Sequence, residues 1–362
     1  MTRCLVSAII LALIAAHATA AEEDLAAQIK ALQKERIEVL SKAVEIRTAQ
    51  VRAGTIPNEY LVGVETDLVN AQLDAADKPE ERIAVLERGV KEESEFLKMV
   101  EARFNAGTVT EADVRQARSC LLDVRIRLLR ERGPKDKVVA QIKAAQKERV
   151  KVLTELVEIC TAQFRVGTIS CEFLLWAEAN LINAQMDATD KHEDRVALLE
   201  QAVKREAKFL NAAEARHTVT QATVTQADVY RARSLVLTAK IGLLEEGSPN
   251  DKVAAQIKAL QKEQIEALTQ LVKLVEDEYQ KGATEFGTLL SAETALINAQ
   301  VNAADTAEAK VLVLTNADKK ETDFLKIVDA RFQAGTVTKA DVCQAQSLLL
   351  DFKIRLLRER GL

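Results

Sequence analysis

The sequence predicts an all-α protein: an elongated, antiparallel bundle of helical hairpins of coiled-coil type, built from three repeats of roughly 114 residues with four helices each. Three observations carry this. The first is composition. Over 362 residues there are 12 Gly and 4 Pro, aromatics make up 4% and charged residues 29%, and Ala, Leu, Glu, Lys, Arg and Gln are prominent. These residue types lose least on entering a helix, and the balance is that of long helices rather than of an α/β enzyme. The second is self-similarity. Leu25-Ala-Ala-Gln-Ile-Lys-Ala-Leu-Gln-Lys-Glu-Arg36 returns as Val139-Ala-Gln-Ile-Lys-Ala-Ala-Gln-Lys-Glu-Arg149 and again from Val253 to Glu263. The period is 113 residues from Gln28 to Gln141 and 115 from Gln141 to Gln256, and repetition of this kind marks arrays of stacked units. The third is apolar spacing of three and four residues, interrupted by glycine turns.

Residues 1–21 read as a secretory signal. Arg3 supplies a positive start, Cys4 to Ala16 an apolar stretch and Ala18-Thr19-Ala20 a small-residue processing site. The apolar stretch is short for a membrane span, and acidic residues follow at once. The reading places the product outside the cytoplasm, in the periplasm, at the outer membrane or beyond it, with no transmembrane helix after signal removal. The remainder divides into repeats at 22–134, 135–249 and 250–362, separated by Gly133-Pro134 and Gly247-Ser-Pro249, helix-stopping turns too short for flexible linkers. A net charge of −5 with both signs interspersed offers no basic footprint for nucleic acid.

In the first repeat the first helix runs from about Glu23 to Arg52. It carries Ile29, Leu32, Val39, Ala43 and Ile46 beside Ile37, Leu40, Val44 and Val51, a stripe wide enough to meet several neighbours. Gly54 ends it, and Pro57 sits near the start of the second helix, where its missing N–H costs nothing. That helix, with Leu61, Val64, Leu68 and Ala71, stops before Pro79, with Asp77 placed to cap the third. The third helix reaches Asn105 through Leu86, Val90, Phe96 and Val100. Gly107 then turns the chain into a fourth, with Val114, Ala117, Leu121, Val124 and Leu128. Direction reverses at each connection, so the glycine turns fall at one end of the array. Helices of 20–30 residues are roughly 30–45 Å long.

The most repeated element is the turn itself. Arg103-Phe104-Asn105-Ala106-Gly107-Thr108-Val109-Thr110-Glu111-Ala112-Asp113-Val114 returns almost unchanged at 331–342, with Gly335, Thr336, Val337 and Asp341. Looser copies follow Gly54, Gly167 and Gly282, and an altered sixth lies around Ala222. Thr110-x-x-Asp113, Thr225-x-x-Asp228 and Thr338-x-x-Asp341 are spaced as capping boxes. Phe104, Phe164, Tyr279 and Phe332, three residues before the glycine, pair in sequence with Val109, Ile169 and Val337 after it as hydrophobic seals.

Catalytic chemistry finds no constellation. There is no phosphate loop, nucleophile elbow or second histidine at ligand spacing from His192, and no cofactor or metal site is expected. His217 takes the place of a tip Phe, and Trp176 reads as a seam residue. The many carboxylates read as helix-surface Glu–Lys pairs. Cys160 and Cys171 flank Gly167 unevenly; pairing between them is left open.

The tip motif, Arg-Phe-x-Ala-Gly-Thr-Val-Thr-x-Ala-Asp-Val, resembles the helical hairpins of TolC-family outer-membrane efflux proteins. The match covers Gly107, Thr108, Val109 and Asp113, then Gly335, Thr336, Val337 and Asp341; at Gly54, Gly167 and Gly282 only the glycine matches, because Tyr60, Phe173 and Thr288 replace the aspartate. The resemblance implies the periplasmic coiled-coil part of such a protein, whose tips meet an adaptor protein. Alternating apolar segments for outer-membrane strands are absent from the sequence. The expectation is therefore a non-enzymatic exported scaffold whose tips contact an envelope protein or a second copy. A subunit or accessory of an efflux component, with a transport role, is the alternative.

Overall fold

Helix-forming residues run almost without interruption between the glycine and proline turns, and the structure follows them. It is a computed structural model that describes residues 2–56, 59–133, 136–219, 224–247 and 250–361; of residues 2–22, 59, 216, 218 and 219 it describes the backbone alone. Among the described residues there are twelve helices and no strand: α1 (Thr2–Arg52), α2 (Glu59–Ala75), α3 (Pro79–Asn105), α4 (Glu111–Glu131), α5 (Asp136–Arg165), α6 (Cys171–Asp187), α7 (His192–Val219), α8 (Gln226–Glu245), α9 (Asp251–Gln280), α10 (Phe286–Ala303), α11 (Ala307–Gln333) and α12 (Lys339–Arg360). None of the described helices is long and apolar enough to cross a membrane.

The chain divides into two compact units. One joins Met1–Asp77 to Ala304–Leu362, and the other is Lys78–Ala303. In the first, α12 lies between α11 and α1, and α2 packs on the other flank of α1. Its core joins Val39, Leu40 and Ala43 of α1 to Val64 and Ala71 of α2 and to Cys343 and Leu350 of α12. In the second unit α4 lies between α3 and α5, α6 flanks α5, and the same succession returns as α7, α8, α9 and α10. Leu153, Leu156 and Cys160 of α5 meet Leu174, Ala177 and Leu181 of α6. Ile182 of α6 meets Leu199 and Ala202 of α7 and Ala239 of α8. The breaks at 134–135 and 249–250 that the repeats mark lie within this second unit, between helices that pack on each other.

Most of the predicted ends fall where local chemistry puts them. Thr110, Thr225 and Thr338 each accept from the backbone N–H three residues on, while the matching aspartate accepts from the threonine's own N–H, so all three capping boxes form. Three readings need correction. α1 begins at Thr2, not near Glu23, because no glycine or proline interrupts residues 2–52. Asp77 does not cap α3: the N-cap is Lys78, without a side-chain cap bond, and Asp77 is drawn instead to Lys30 of α1. The carboxylates are not all on the surface, because five glutamates are buried. Pro57 and the altered turn around Ala222 lie outside the described residues.

α4, α8 and α12 are each covered on two sides, and Phe352 of α12 is fully buried. Phe352→Ala is expected to lower unfolding free energy in chemical denaturation by about 3–5 kcal/mol, as for a large core side chain left as a cavity. Leu312→Ser, on a residue 63% exposed, is expected to change it by no more than about 0.5 kcal/mol.

Candidate functional site

Each tip is a helix stop followed within a few residues by a helix start. Gly54, Gly107, Gly167, Gly282 and Gly335 all have φ between 71° and 76°, the left-handed region that an L side chain enters at a cost. At Gly107 the Thr108 N–H reaches back to the Arg103 carbonyl at 3.0 Å and the Gly107 N–H to the Phe104 carbonyl at 2.9 Å. These bonds satisfy carbonyls that the end of α3 leaves without helical partners, as in a Schellman motif. The Thr108 hydroxyl donates to the same Arg103 carbonyl at 3.0 Å. Thr336 repeats both bonds on Arg331, and Thr55 and Thr168 do so after Gly54 and Gly167. After Gly282 the residue is Ala283, which keeps the backbone bond alone.

The aspartates diverge. Asp113 is half-buried and serves its capping box. Asp341 is buried, and besides capping α12 it accepts from Arg47 of α1 at 2.6 Å. That bridge sets the turns at Gly54 and Gly335 at one end of their unit. In the other unit Phe164, before Gly167, stands 5.7 Å from Phe209 of α7 and packs with Val224 and Val229 at the start of α8. Glu172 of α6 faces Arg231 of α8 and accepts from Thr288 of α10. The turns of these hairpins therefore share an end as well.

The predicted hydrophobic seals form at some tips and fail at one. Phe164 and Ile169 join one cluster, and Tyr279 is buried against Phe286, ring centroids 6.0 Å apart. Phe332 is half-buried, with the Lys339 ammonium 5.2 Å from its centroid. Phe104 is 42% exposed. Its tip carries Glu111 where the other copy carries Lys339, so no cation covers the ring. Val166, next to Gly167, is 74% exposed.

A second polar feature lies within the seams, and reasoning from surface Glu–Lys pairs missed it. Glu93 of α3, Glu206 of α7 and Glu321 of α11 occupy one equivalent position of the repeat, and Glu178 of α6 and Glu293 of α10 another; all are buried. Their place in apolar series such as Leu199, Ala202, Glu206, Phe209 and Ala213 is the signal that could have identified them. Burial pushes the Glu206 carboxyl up to about 9, helped by its hydrogen bond to Glu178 and opposed by Arg205. Arg205 Nε stands 2.9 Å from Glu178 and 3.3 Å from Glu206. At pH 7 Glu206 therefore keeps its proton beside the Arg205 guanidinium. Burial, with Glu92 and Asp123 adding to it, raises Glu93 to about 7. Such shifts mark functional sites and structural networks alike.

All four cysteines from Cys120 onward are free thiols, so Cys160 and Cys171 do not pair; burial raises Cys160 to about 12. His217 Nδ1 donates to the Val224 carbonyl at 3.0 Å, at the end of α7. Among the described residues no group of three or more His, Cys, Asp or Glu is arranged to hold a metal ion. No protein-family model matches the chain, and no curated protein matches its sequence.

Because Glu206 takes up its proton in the native state at higher pH than in the unfolded chain, the native state binds more protons between about pH 4.5 and 9. Stability is then greatest below that window, falls through it and levels off above it. Replacing Glu206 by Gln is expected to reduce the slope of unfolding free energy against pH in that window by up to about 1.4 kcal/mol per pH unit, one proton's worth. Denaturant titrations at pH 5, 7 and 9 read this directly; an unchanged slope contradicts the assignment.

Proposed function

We propose that this chain is a non-enzymatic, exported α-helical scaffold, with three repeats of four helices and TolC-like hairpins, that makes protein–protein contacts in the cell envelope through its glycine tips. The observation that carries the reading is apolar exposure at two tips of one unit, Phe104 at 42% and Val166 at 74%. Phe332, the equivalent of Phe104, is half-buried under Lys339, and the position equivalent to Val166 before Gly282 is the charged Lys281. Large apolar side chains left in water at the end of a hairpin are the kind of anchor a partner surface buries. The rest of the tip sequence is absorbed by turn and cap chemistry: Gly107, Thr108 and Asp113, like Gly335, Thr336 and Asp341, have backbone roles. Val109 and Val337, half-buried beside those turns, give the tips their remaining apolar surface.

The apolar leader at 1–21 supports export, and the absence of a nucleophile, cofactor loop or metal pattern in the sequence supports a role in binding rather than catalysis. The partner is an envelope protein, adaptor-like in the sense the tip motif suggests, or another copy of the chain. A second reading follows from the same motif: an outer-membrane efflux component or accessory with a transport role. Fractionation separates the two, since a transport component is recovered with membranes and a free scaffold with the soluble envelope contents.

Phe104→Ser combined with Val166→Ser removes the exposed side chains without touching the core. In cells treated with a short amine cross-linker, the parent chain is expected to form a discrete adduct with a partner, and the double variant is expected to lose most of it at unchanged helical dichroism. Full retention of the adduct by the folded variant would show that the tips do not dock the partner.

A further inference from the structure

α4 and α12 pose a pairing problem. Residues 102–133 and 330–361 differ at seven of 32 positions, so the face that α12 lays on α1 is nearly the face that α4 lays on α5. Near-duplicate elements invite exchange within a chain or between two copies, and a sequence has to be specified against it. One contact is common to both seams. Arg36 of α1 stands 2.7 Å from Asp351 of α12, and the equivalent Arg149 of α5 stands 2.6 Å from Asp123 of α4. This pair aligns either seam and cannot tell them apart. At the α8–α9 seam both partners are replaced together, and Gln264 donates to the Thr238 hydroxyl at 2.7 Å.

Two other positions do discriminate. Arg47 of α1 donates to Asp341 at 2.6 Å, the two side chains being 7% and 10% exposed, and to Gln344 at 3.1 Å. Where α1 has Arg47, α5 has Cys160 and α9 has Val275, both fully buried. Asp113, at the start of α4, is only half-buried, and Asp228, at the start of α8, has Arg231 from its own helix at 3.3 Å. The second position is an exchange. Arg115 of α4 lies 3.2 Å from Glu155 of α5, and the equivalent residues in the other seam are Cys343 and Lys42. An open groove of about 500 Å³ lies there, lined by Lys42, Ile46, Lys339 and Cys343 among others.

The wrong pairings are penalised from both sides. α4 laid on α1 sets Arg115 against Lys42, like charge on like. α12 laid on α5 sets the carboxylate of Asp341 against the Cys160 thiol with no cation, and removing one partner of a buried ion pair is far more costly than the pair is stabilising. We infer that these side chains are a pairing code: Arg47 and Lys42 make α1 the seat of α12 rather than of α4, Glu155 and Cys160 make α5 the seat of α4 rather than of α12, and the competitor the code rejects at α1 is α4, from the same chain or from a second copy.

A Cβ at Gly361 meets the Leu25 side chain, so Leu25→Cys with Gly361→Cys, in a chain carrying Cys4→Ser and Cys120→Leu, brings two thiols within reach of a short bismaleimide. Full-length chains with and without heavy nitrogen are mixed, unfolded, refolded and cross-linked, and mass spectrometry separates links within one chain from links between two. The parent is expected to link mainly within one chain. Arg47→Asp is expected to lower that product several-fold, and adding Asp341→Arg to restore it. An unchanged product in Arg47→Asp, or no recovery in the reversed pair at parental helical content, overturns the code. Should Arg47→Asp lose its helical content, the exposed Lys42→Glu carries the test: a several-fold loss of within-chain links supports the code, and an unaltered distribution overturns it.

Discussion

The packing depends on one constraint: α4, α8 and α12 cannot be covered by their own hairpins alone. α12 packs on α11, yet Val342, Cys343, Ala345, Leu349, Leu350, Phe352, Ile354 and Leu356 are all buried along it, too many for one neighbour to cover. The stripe is wider than a two-stranded seam, so a second helix has to close it. α4 finds that helix in α5 and α8 finds it in α9, each the next element of the chain. α12 finds it in α1, some three hundred residues back in sequence. The unit formed by α11, α12, α1 and α2 therefore rests on a contact of the greatest sequence separation the chain offers. Its closure entropy has to be met by burial and by the ion pairs of Arg36 and Arg47.

The tips illustrate how a repeated motif can be absorbed by geometry. Glycine at positive φ turns the chain, the threonine after it satisfies a helix-end carbonyl twice, and Thr-x-x-Asp starts the next helix. Once those roles are subtracted, the two closest copies differ most in what they leave uncovered. A single change, Glu111 against Lys339, decides whether the preceding phenylalanine lies under an ammonium or in water. The strongest hint of recognition at this end thus comes from a position outside the shared motif letters.

Local features were legible in the sequence because local chemistry decides them. The glycine turns, the three capping boxes and the helix ends at Arg52, Ala75 and Asn105 depend on residues within a few positions of one another. Long-range features were not. Asp77 lies two residues before the start of α3 and has the right chemistry for a cap, but Lys30 on another helix competes for it. Glu206 reads as one more surface acid until α6 is seen to bring Glu178 beside it. The partner of α12 could not be read from spacing, because α4, α8 and α12 present similar stripes. Only charge differences at positions such as Arg47 and Cys160 separate their seats.

The buried glutamates also bear on how freely the helices can slip. Seams of Ala, Leu and Val are forgiving, since shifting one helix by a turn sets another small apolar residue in nearly the same hole. A carboxyl at mid-length removes that tolerance. Moving α7 by one turn against α6 carries Glu206, together with Arg205 of its own helix, away from Glu178 and sets its carboxyl against apolar residues of α6 such as Leu175 or Ile182. The polar cluster acts as a detent along an otherwise smooth interface, holding a long helix at one longitudinal setting.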